Sequence, residues 1–209
     1  MNGQPVARDN YLKKLIAFRD SDVIKVVTGM RRCGKSTLLD MMRSYLAKDG
    51  VPTECLLSFR MESFDLEGIR DWRELYRYVV ERMPSSGKCY LFFDELQEVA
   101  SWEKAINALR VDKDCDIYIT GSNAFLLSSE IATLISGRYV EIRMHPLSFS
   151  EYLDFLGPTE ITSRYAVFGK EEITPLDELL DRYLKFGGLP YLAISGLPER
   201  EMKDYIWST

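Results

Sequence analysis

Histidine is almost absent. His145 is the only one in 209 residues, and a single imidazole can build neither a multi-histidine zinc site nor a serine–histidine triad. Cysteine is sparse and unpaired in pattern: Cys33, Cys55, Cys89 and Cys115 contain no C-x-x-C spacing. They therefore read as free thiols in a reducing compartment rather than as zinc ligands or disulfides. No stretch approaches the roughly 20 apolar residues of a membrane helix, and the polar start from Met1 to Asp9 has no signal-peptide pattern. These absences lead us to expect a cytoplasmic protein with no membrane partner. Basic charge is not in excess either. The formal net charge of −5 argues against a surface coated in cations for nonspecific DNA binding, although it leaves room for a local basic face. What is present is ordinary globular composition, 46% hydrophobic, sufficient for one large domain or a domain with a small second unit.

Against this background one octapeptide stands out. Gly29-Met30-Arg31-Arg32-Cys33-Gly34-Lys35-Ser36 fits G-x-x-x-x-G-K-[ST] at every fixed position. The glycines permit a tight turn in which successive N–H groups converge on phosphate. Lys35 can neutralise the β- and γ-phosphates, and Ser36 can offer its hydroxyl to Mg²⁺. The context is that of a phosphate loop. Upstream, the β-branched run from Val23 to Thr28 predicts a strand. Downstream, from Thr37, the residues Leu38, Met41, Met42 and Tyr45 recur at helical spacing, so the loop opens a helix whose N-terminus favours an anion. Arg31 and Arg32 fall near phosphate, although the pattern does not require them.

The rest of the chain alternates. Helices are predicted over Asp9 to Phe18, Asp71 to Met83, Trp102 to Val111 and Ala124 to Ile135. Strands are predicted over Cys55 to Phe59, Cys89 to Phe93, Asp116 to Thr120 and Tyr139 to Arg143. Alternation of this kind argues for an α/β fold, a parallel sheet with helices on both faces. After Pro146 the chain turns helical. Ser148-x-x-Glu151 has the form of a capping box, residues Gly157 to Lys170 read as a loop, and Thr174-Pro175 starts a helix through Phe186 that Gly187-Gly188-Leu189-Pro190 ends. We expect an ATP-binding core over residues 1–145. Residues 146–209 then form a helical lid or the start of a further unit, with a continuation expected beyond the helical residues near 209.

The apolar strand around Phe92 ends in Asp94-Glu95. An acidic pair there is costly unless it has work to do, and ligands bind at that edge of an open parallel sheet. Asp94 suits a carboxylate holding Mg²⁺ with Ser36, and Glu95 suits a base for an attacking water. A water-activating base argues for ATP hydrolysis over phosphoryl transfer to a metabolite by a small-molecule kinase, and no N-K-x-D sequence is present to read guanine. After the next strand, Ser122 and Asn123 can contact that water or the γ-phosphate, or simply cap a helix. Arg138 is a surface cation or an arginine finger, in its own subunit or a neighbouring one.

In this order the pieces resemble the AAA+ superfamily, and more narrowly the prokaryotic AAA-type ATPases fused to a C-terminal domain of unknown function. The carriers run from Arg8 to Pro190. They are Arg8-x-x-Tyr11-Leu12-x-x-Leu15, the phosphate loop continuing as Thr-Leu-Leu, and Phe-Asp-Glu-Leu-Gln-Glu-Val at 93–99 with Trp102. Ile-Thr-Gly-Ser-Asn-Ala at 119–124, Ser-Gly-Arg-Tyr-Val-Glu-Ile at 136–142, Pro-Leu-Ser-Phe-Ser-Glu-Tyr at 146–152 and Phe-Gly-Gly-Leu-Pro at 186–190 complete the set. The resemblance implies a five-stranded sheet of order 5-1-4-3-2 and an ATP/ADP site with Mg²⁺. It further implies a sensor position at Ser122 or Asn123, a finger-like Arg138, and Arg8 to Leu15 near the adenine. A second sensor arginine is not evident, Arg164 and Arg182 being weak candidates. The implied activity is ATP hydrolysis that remodels a DNA or protein partner, in a homo-oligomer if the finger acts between subunits. The alternative is a slow nucleotide-gated switch working through protein contacts.

Overall fold

The structure is a computed structural model, and it describes residues 8–66, 68–121, 137–156 and 175–208. Helix α1 (Asp9–Ala17) leads into β1 (Ile24–Gly29), then α2 (Lys35–Lys48), β2 (Leu56–Arg60), α3 (Trp72–Val80), β3 (Cys89–Asp94), α4 (Trp102–Asp112), β4 (Cys115–Gly121) and β5 (Tyr139–Met144). The expected helix from Ala124 to Ile135, the loop from Gly157 to Lys170 and the Thr174 cap fall outside the described residues.

The five strands form one sheet in the order β2-β3-β4-β1-β5, which is the expected 5-1-4-3-2. All four pairings are parallel, with registers such as Val26↔Ile119, Val27↔Ile142, Phe92↔Tyr118 and Phe59↔Phe93. Burial explains the order. β1 is buried at every residue and β3 from Cys89 to Phe93, as continuous apolar strands covered on both faces must be. The outer strands carry the exposed polar residues, Ser58 and Arg60 on β2 and Glu141 and Arg143 on β5. Parallel neighbours need crossovers, and helices supply them. Asp71 caps α3 by accepting from the N–H groups of Arg73 and Glu74 at 2.7 and 3.0 Å. Leu75, Val79, Ala105, Ile106 and Leu109 of α3 and α4 join Leu91, Phe93, Ile117 and Ile119 in one core.

The chain divides into two compact units. The segments Asp9–Gly29 and Lys35–Met144, which carry the sheet and α1 to α4, make one. Arg8, the five residues Met30–Gly34 and the chain from His145 make the other. In this second unit, α5 (149–156) is followed by α6 (Pro175–Phe186), α7 (Pro190–Ile194) and α8 (Glu199–Trp207). The capping box forms as expected: the Glu151 N–H donates to Ser148 Oγ at 3.3 Å, and the Ser148 N–H donates to Glu151 Oε2 at 2.9 Å. Leu147, Tyr152, Leu179 and Ala193 make one small core, and Phe186, Leu189, Leu192 and Met202 another. Among the described residues no helix is long and apolar enough to cross a membrane.

Candidate functional site

At the carboxyl edge of the sheet, three elements bring polar groups together. α2 begins at Lys35, so Ser36 lies in its first turn, and its hydroxyl donates to Asp94 Oδ1 at 3.0 Å. The Thr120 hydroxyl, at the end of β4, donates to the same oxygen and accepts from the Glu95 N–H at 3.3 Å. Lys35 is buried, its Nζ donating to the Gly29 carbonyl at 3.1 Å and lying 3.9 Å from Glu95 Oε1. The other carboxylate oxygen of Glu95 accepts from Gln97 Nε2 at 2.5 Å. Glu95 is held at φ 56°, a left-handed conformation that a non-glycine residue adopts at a cost. Beside Asp94 and Glu95 opens a cleft of about 200 Å³ whose opposite wall is Arg60 to Ser63. Thus Lys35, Ser36, Asp94 and Glu95, all expected from sequence, meet here. Thr120 joins them from the polar stretch Thr120–Asn123 at the end of β4, of which the sequence reading singles out Ser122 and Asn123.

The tip of the loop, in the second unit, has its own partners. Arg32 stands at φ 64° and Gly34 at φ 99°, left-handed backbone of the kind from which anion-binding nests are built. Only glycine adopts the Gly34 value without strain. Arg8 is buried and forms a bidentate pair with Glu151 at 2.9 and 3.0 Å, while donating to the carbonyls of Cys33 at 3.3 Å, His145 at 2.7 Å and Pro146 at 3.4 Å. Burial alone would raise the Glu151 pKa. The Arg8 hydrogen bonds and the Ser148 N–H outweigh it and hold the carboxyl below its ordinary value. Arg32 donates to the Tyr205 carbonyl at 3.2 Å and to Ser208 Oγ at 3.0 Å, and its guanidinium lies 4.3 Å from the Tyr205 ring centre. Met30, Arg31, Ser36 and Thr37 are exposed, whereas Cys33 is fully buried, so its thiol is not presented for alkylation.

Two expected site positions, Ser122 and Asn123, lie outside the described residues. Arg138 is exposed, and its carbonyl accepts from the Ile24 N–H at 2.8 Å. It therefore stands at the start of β1, a strand length of roughly 17 Å from the Gly29 end. The structure does not bring it to Lys35, Asp94 and Glu95. At that same far edge, Lys25 and Asp116 form a buried ion pair to which Tyr118 Oη and the Asp20 N–H add hydrogen bonds at 2.9 Å each. Burial pushes the Cys89 and Cys115 thiols up to about 11 and about 12, leaving them protonated at neutral pH.

The profile of the AAA domain family matches residues 21–153. An uncharacterized protein of Haemophilus influenzae is 44% identical over 202 residues, spanning 96% of this chain and 48% of the relative. An uncharacterized protein of Methanocaldococcus jannaschii is 31% identical over 186 residues, spanning 88% and 40%. The chain thus spans about half the length of the curated relatives it matches. Among solved structures, Saccharomyces cerevisiae Hsp104 with casein in its extended conformation superposes with a TM-score of 0.62 at 16% identity, over 91% of this chain and 36% of that one. Closed-state Hsp104 with ATPγS and casein gives 0.60 at 18% identity, over 92% and 36%. A DNA polymerase III gamma subunit-related protein of Thermotoga maritima gives 0.51 at 15% identity, over 87% and 57%. These likenesses establish a P-loop α/β fold, and the match over residues 21–153 shows that this chain belongs to the AAA domain family.

Proposed function

We propose that this chain binds ATP with Mg²⁺ and hydrolyses it to ADP and phosphate, coupling turnover to a conformational change that acts on a protein or DNA partner. The observation that carries this reading is the grip on Asp94. One carboxylate oxygen takes the hydroxyls of Ser36 and Thr120, while Lys35 lies 3.9 Å from Glu95 on the next residue. Residues Gly29 to Thr37 cradle the phosphates, with Lys35 on the β- and γ-groups. Ser36 and Asp94 are hard oxygen donors of the kind that fits Mg²⁺, and the ion supplies charge neutralisation at the phosphates when bound. Glu95 takes a proton from the attacking water as its oxygen bonds to the γ-phosphorus and the bond to the ADP oxygen breaks. Ser122 and Asn123 serve as sensors of the γ-phosphate. Arg138, at the far edge of the sheet, serves as a finger only toward a second copy, in a homo-oligomer. Residues 1–145 form the ATP-binding core of a cytoplasmic protein, and 146–209 a helical lid or the start of a further unit.

The test is nucleotide affinity and steady-state turnover in the wild type, Lys35→Ala and Glu95→Gln, with and without DNA. Glu95→Gln retains ATP binding and hydrolyses about 10²–10⁴-fold more slowly, the loss expected for a general base. Lys35→Ala loses binding. Undiminished affinity in Lys35→Ala removes the loop assignment, and undiminished turnover in Glu95→Gln removes the base. A second reading, a slow switch that signals through protein contacts, is favoured by the hold of α8 on loop residue Arg32. Tightly retained nucleotide with negligible wild-type turnover selects it.

A further inference from the structure

β2 is the outer strand of the sheet, and among the described residues it pairs with β3 alone. The Met61 N–H donates to the Asp94 carbonyl at 3.1 Å. Backbone groups alternate sides along a strand, so those of Phe59 and Leu57 also turn toward β3. The N–H and C=O of Ser58, the C=O of Leu56 and the N–H of Arg60 then turn outward. The outward carbonyl of Arg60 is already taken by the Ser63 N–H at 2.9 Å. An edge of this kind is a template for a further strand.

A groove of about 410 Å³ runs along this edge. Its walls come from both faces of the sheet: Arg43 from α2 on one side, Tyr78 and Arg82 from α3 and the turn after it on the other, with Leu57, Phe59 and Arg60 between. Among the described residues three arginines line it and no acidic residue does. The side chains of Arg43 and Arg60 are 44% and 58% exposed, and Asp40 lies 3.9 and 2.8 Å from them. Among these described groups, three arginines less that one carboxylate leave an excess of two positive charges, in a chain whose net charge is −5. Arg82 is fixed in place, its guanidinium 3.3 Å from the Tyr78 ring centre and one N–H donating to the Tyr78 carbonyl at 3.0 Å. The cations are thus partly pre-ordered, which lowers the entropy lost on binding an anion.

We propose that β2 is a docking edge for an extended, acidic segment of a partner protein. The segment adds as a sixth strand, its backbone paired to Ser58 and Arg60 and its carboxylates on Arg43, Arg60 and Arg82. A peptide suits this groove better than a nucleic acid, because phosphates use the arginines but leave the strand's outward N–H and C=O groups and the apolar Leu57 and Phe59 unanswered. Arg60 also lines the cleft of Asp94 and Glu95 and pairs in register with Asp94, so an occupant of the edge lies one strand beyond β2 from the acidic pair.

The probe is a fluorescein-labelled peptide of about ten residues, long enough for a strand, alternating Glu with Val or Thr. Its lysine counterpart and an oligothymidine serve as comparisons, and binding is read by anisotropy without nucleotide. The acidic peptide is expected to bind the wild type and weaken with salt, and the lysine peptide to leave anisotropy unchanged. The double variant Arg43→Glu with Arg82→Glu weakens the acidic peptide at least about tenfold. Ser58→Pro removes an outward donor without touching the β3 ladder, and weakens it about fivefold. On the wild type, the peptide slows hydrogen exchange at the Ser58 and Arg60 amides, a readout that stands even if a variant misfolds. Absence of binding, equal binding by both variants, or unchanged exchange at Ser58 overturns the proposal. Oligothymidine binding that is lost in the arginine variant and kept in Ser58→Pro makes the groove a nucleic-acid site instead, and self-association lost in Ser58→Pro makes it an interface between copies. Lys35→Ala retains the peptide, so failure here and failure of the ATPase reading are separable.

Discussion

The Thr120 hydroxyl is wholly buried and has two partners, and both belong to the Asp94–Glu95 pair. It donates to the carboxylate that would face the metal and accepts from the backbone of the residue that would activate water. Valine at this position keeps the shape but leaves the Glu95 N–H without its acceptor and Asp94 with one donor fewer, an exchange that costs more than the net worth of either bond. Thr120→Val is therefore expected to lower Mg²⁺-dependent turnover by about 10–100-fold, as loss of a ligand-orienting partner does. The metal dependence shifts to higher Mg²⁺, and Thr120→Ser restores activity. Turnover and metal dependence equal to the wild type would reduce Thr120 to a packing residue. That Lys35, Ser36, Asp94 and Glu95 meet in space was legible in the sequence, because each fixed position of the loop demands its residue type and an acidic pair ending an apolar strand demands a reason. The partners of Thr120 were not, since they lie 25 and 26 residues away.

Elements differ in how openly their residues announce them. β1 and β3 are legible as continuous apolar runs because strands buried on both faces have no polar side to show. Lys25 breaks that rule in β1, and its partner Asp116 is 91 residues away, so only the assembled sheet explains why a lysine is tolerated there. The string Phe186-Gly187-Gly188-Leu189-Pro190 reads as a helix stop, and Pro190 in fact also opens α7, with proline in the first turn. Gly188 has a steric duty that no periodicity reveals. A β-carbon there would lie 2.1 Å from the Leu147 carbonyl oxygen, which is backbone and cannot swing aside, and the Leu147 N–H donates to the Gly188 carbonyl at 2.6 Å. The same Leu147 carbonyl accepts from Tyr183 Oη at 2.8 Å, so displacing it strains α6 as well. Gly188→Ala is expected to destabilise the helical unit by about 2–3 kcal/mol, the upper range for overpacking. Denaturant unfolding together with faster exchange at the Leu147 and Gly187 amides checks it, and an unchanged midpoint with unchanged exchange would refute the clash.

On the scale of the whole molecule, the phosphate loop is divided between two compact units. Gly29 and Lys35 belong with the sheet, and the five residues between them belong with the helices that follow His145. Chain continuity alone then obliges any rearrangement of Met30–Gly34 around a phosphate to be felt by whatever those residues hold. They hold Arg8 through the Cys33 carbonyl, and α8 through Arg32, whose guanidinium bonds the Tyr205 carbonyl and Ser208 Oγ and stacks on the Tyr205 ring. A ligand shifts a conformational equilibrium only by its difference in affinity for the two states, and contacts of this kind are where such a difference can be registered. Nucleotide is therefore expected to change hydrogen exchange along α8 in the wild type. Arg32→Ala keeps ATP affinity within a few-fold, since the phosphate-loop pattern does not require that side chain, and abolishes the α8 response, a coupling on the order of tenfold in the affinity balance. Loss of ATP binding in Arg32→Ala would make Arg32 a phosphate ligand. An intact α8 response would mean that the signal leaves the loop by Arg8 and Glu151 instead.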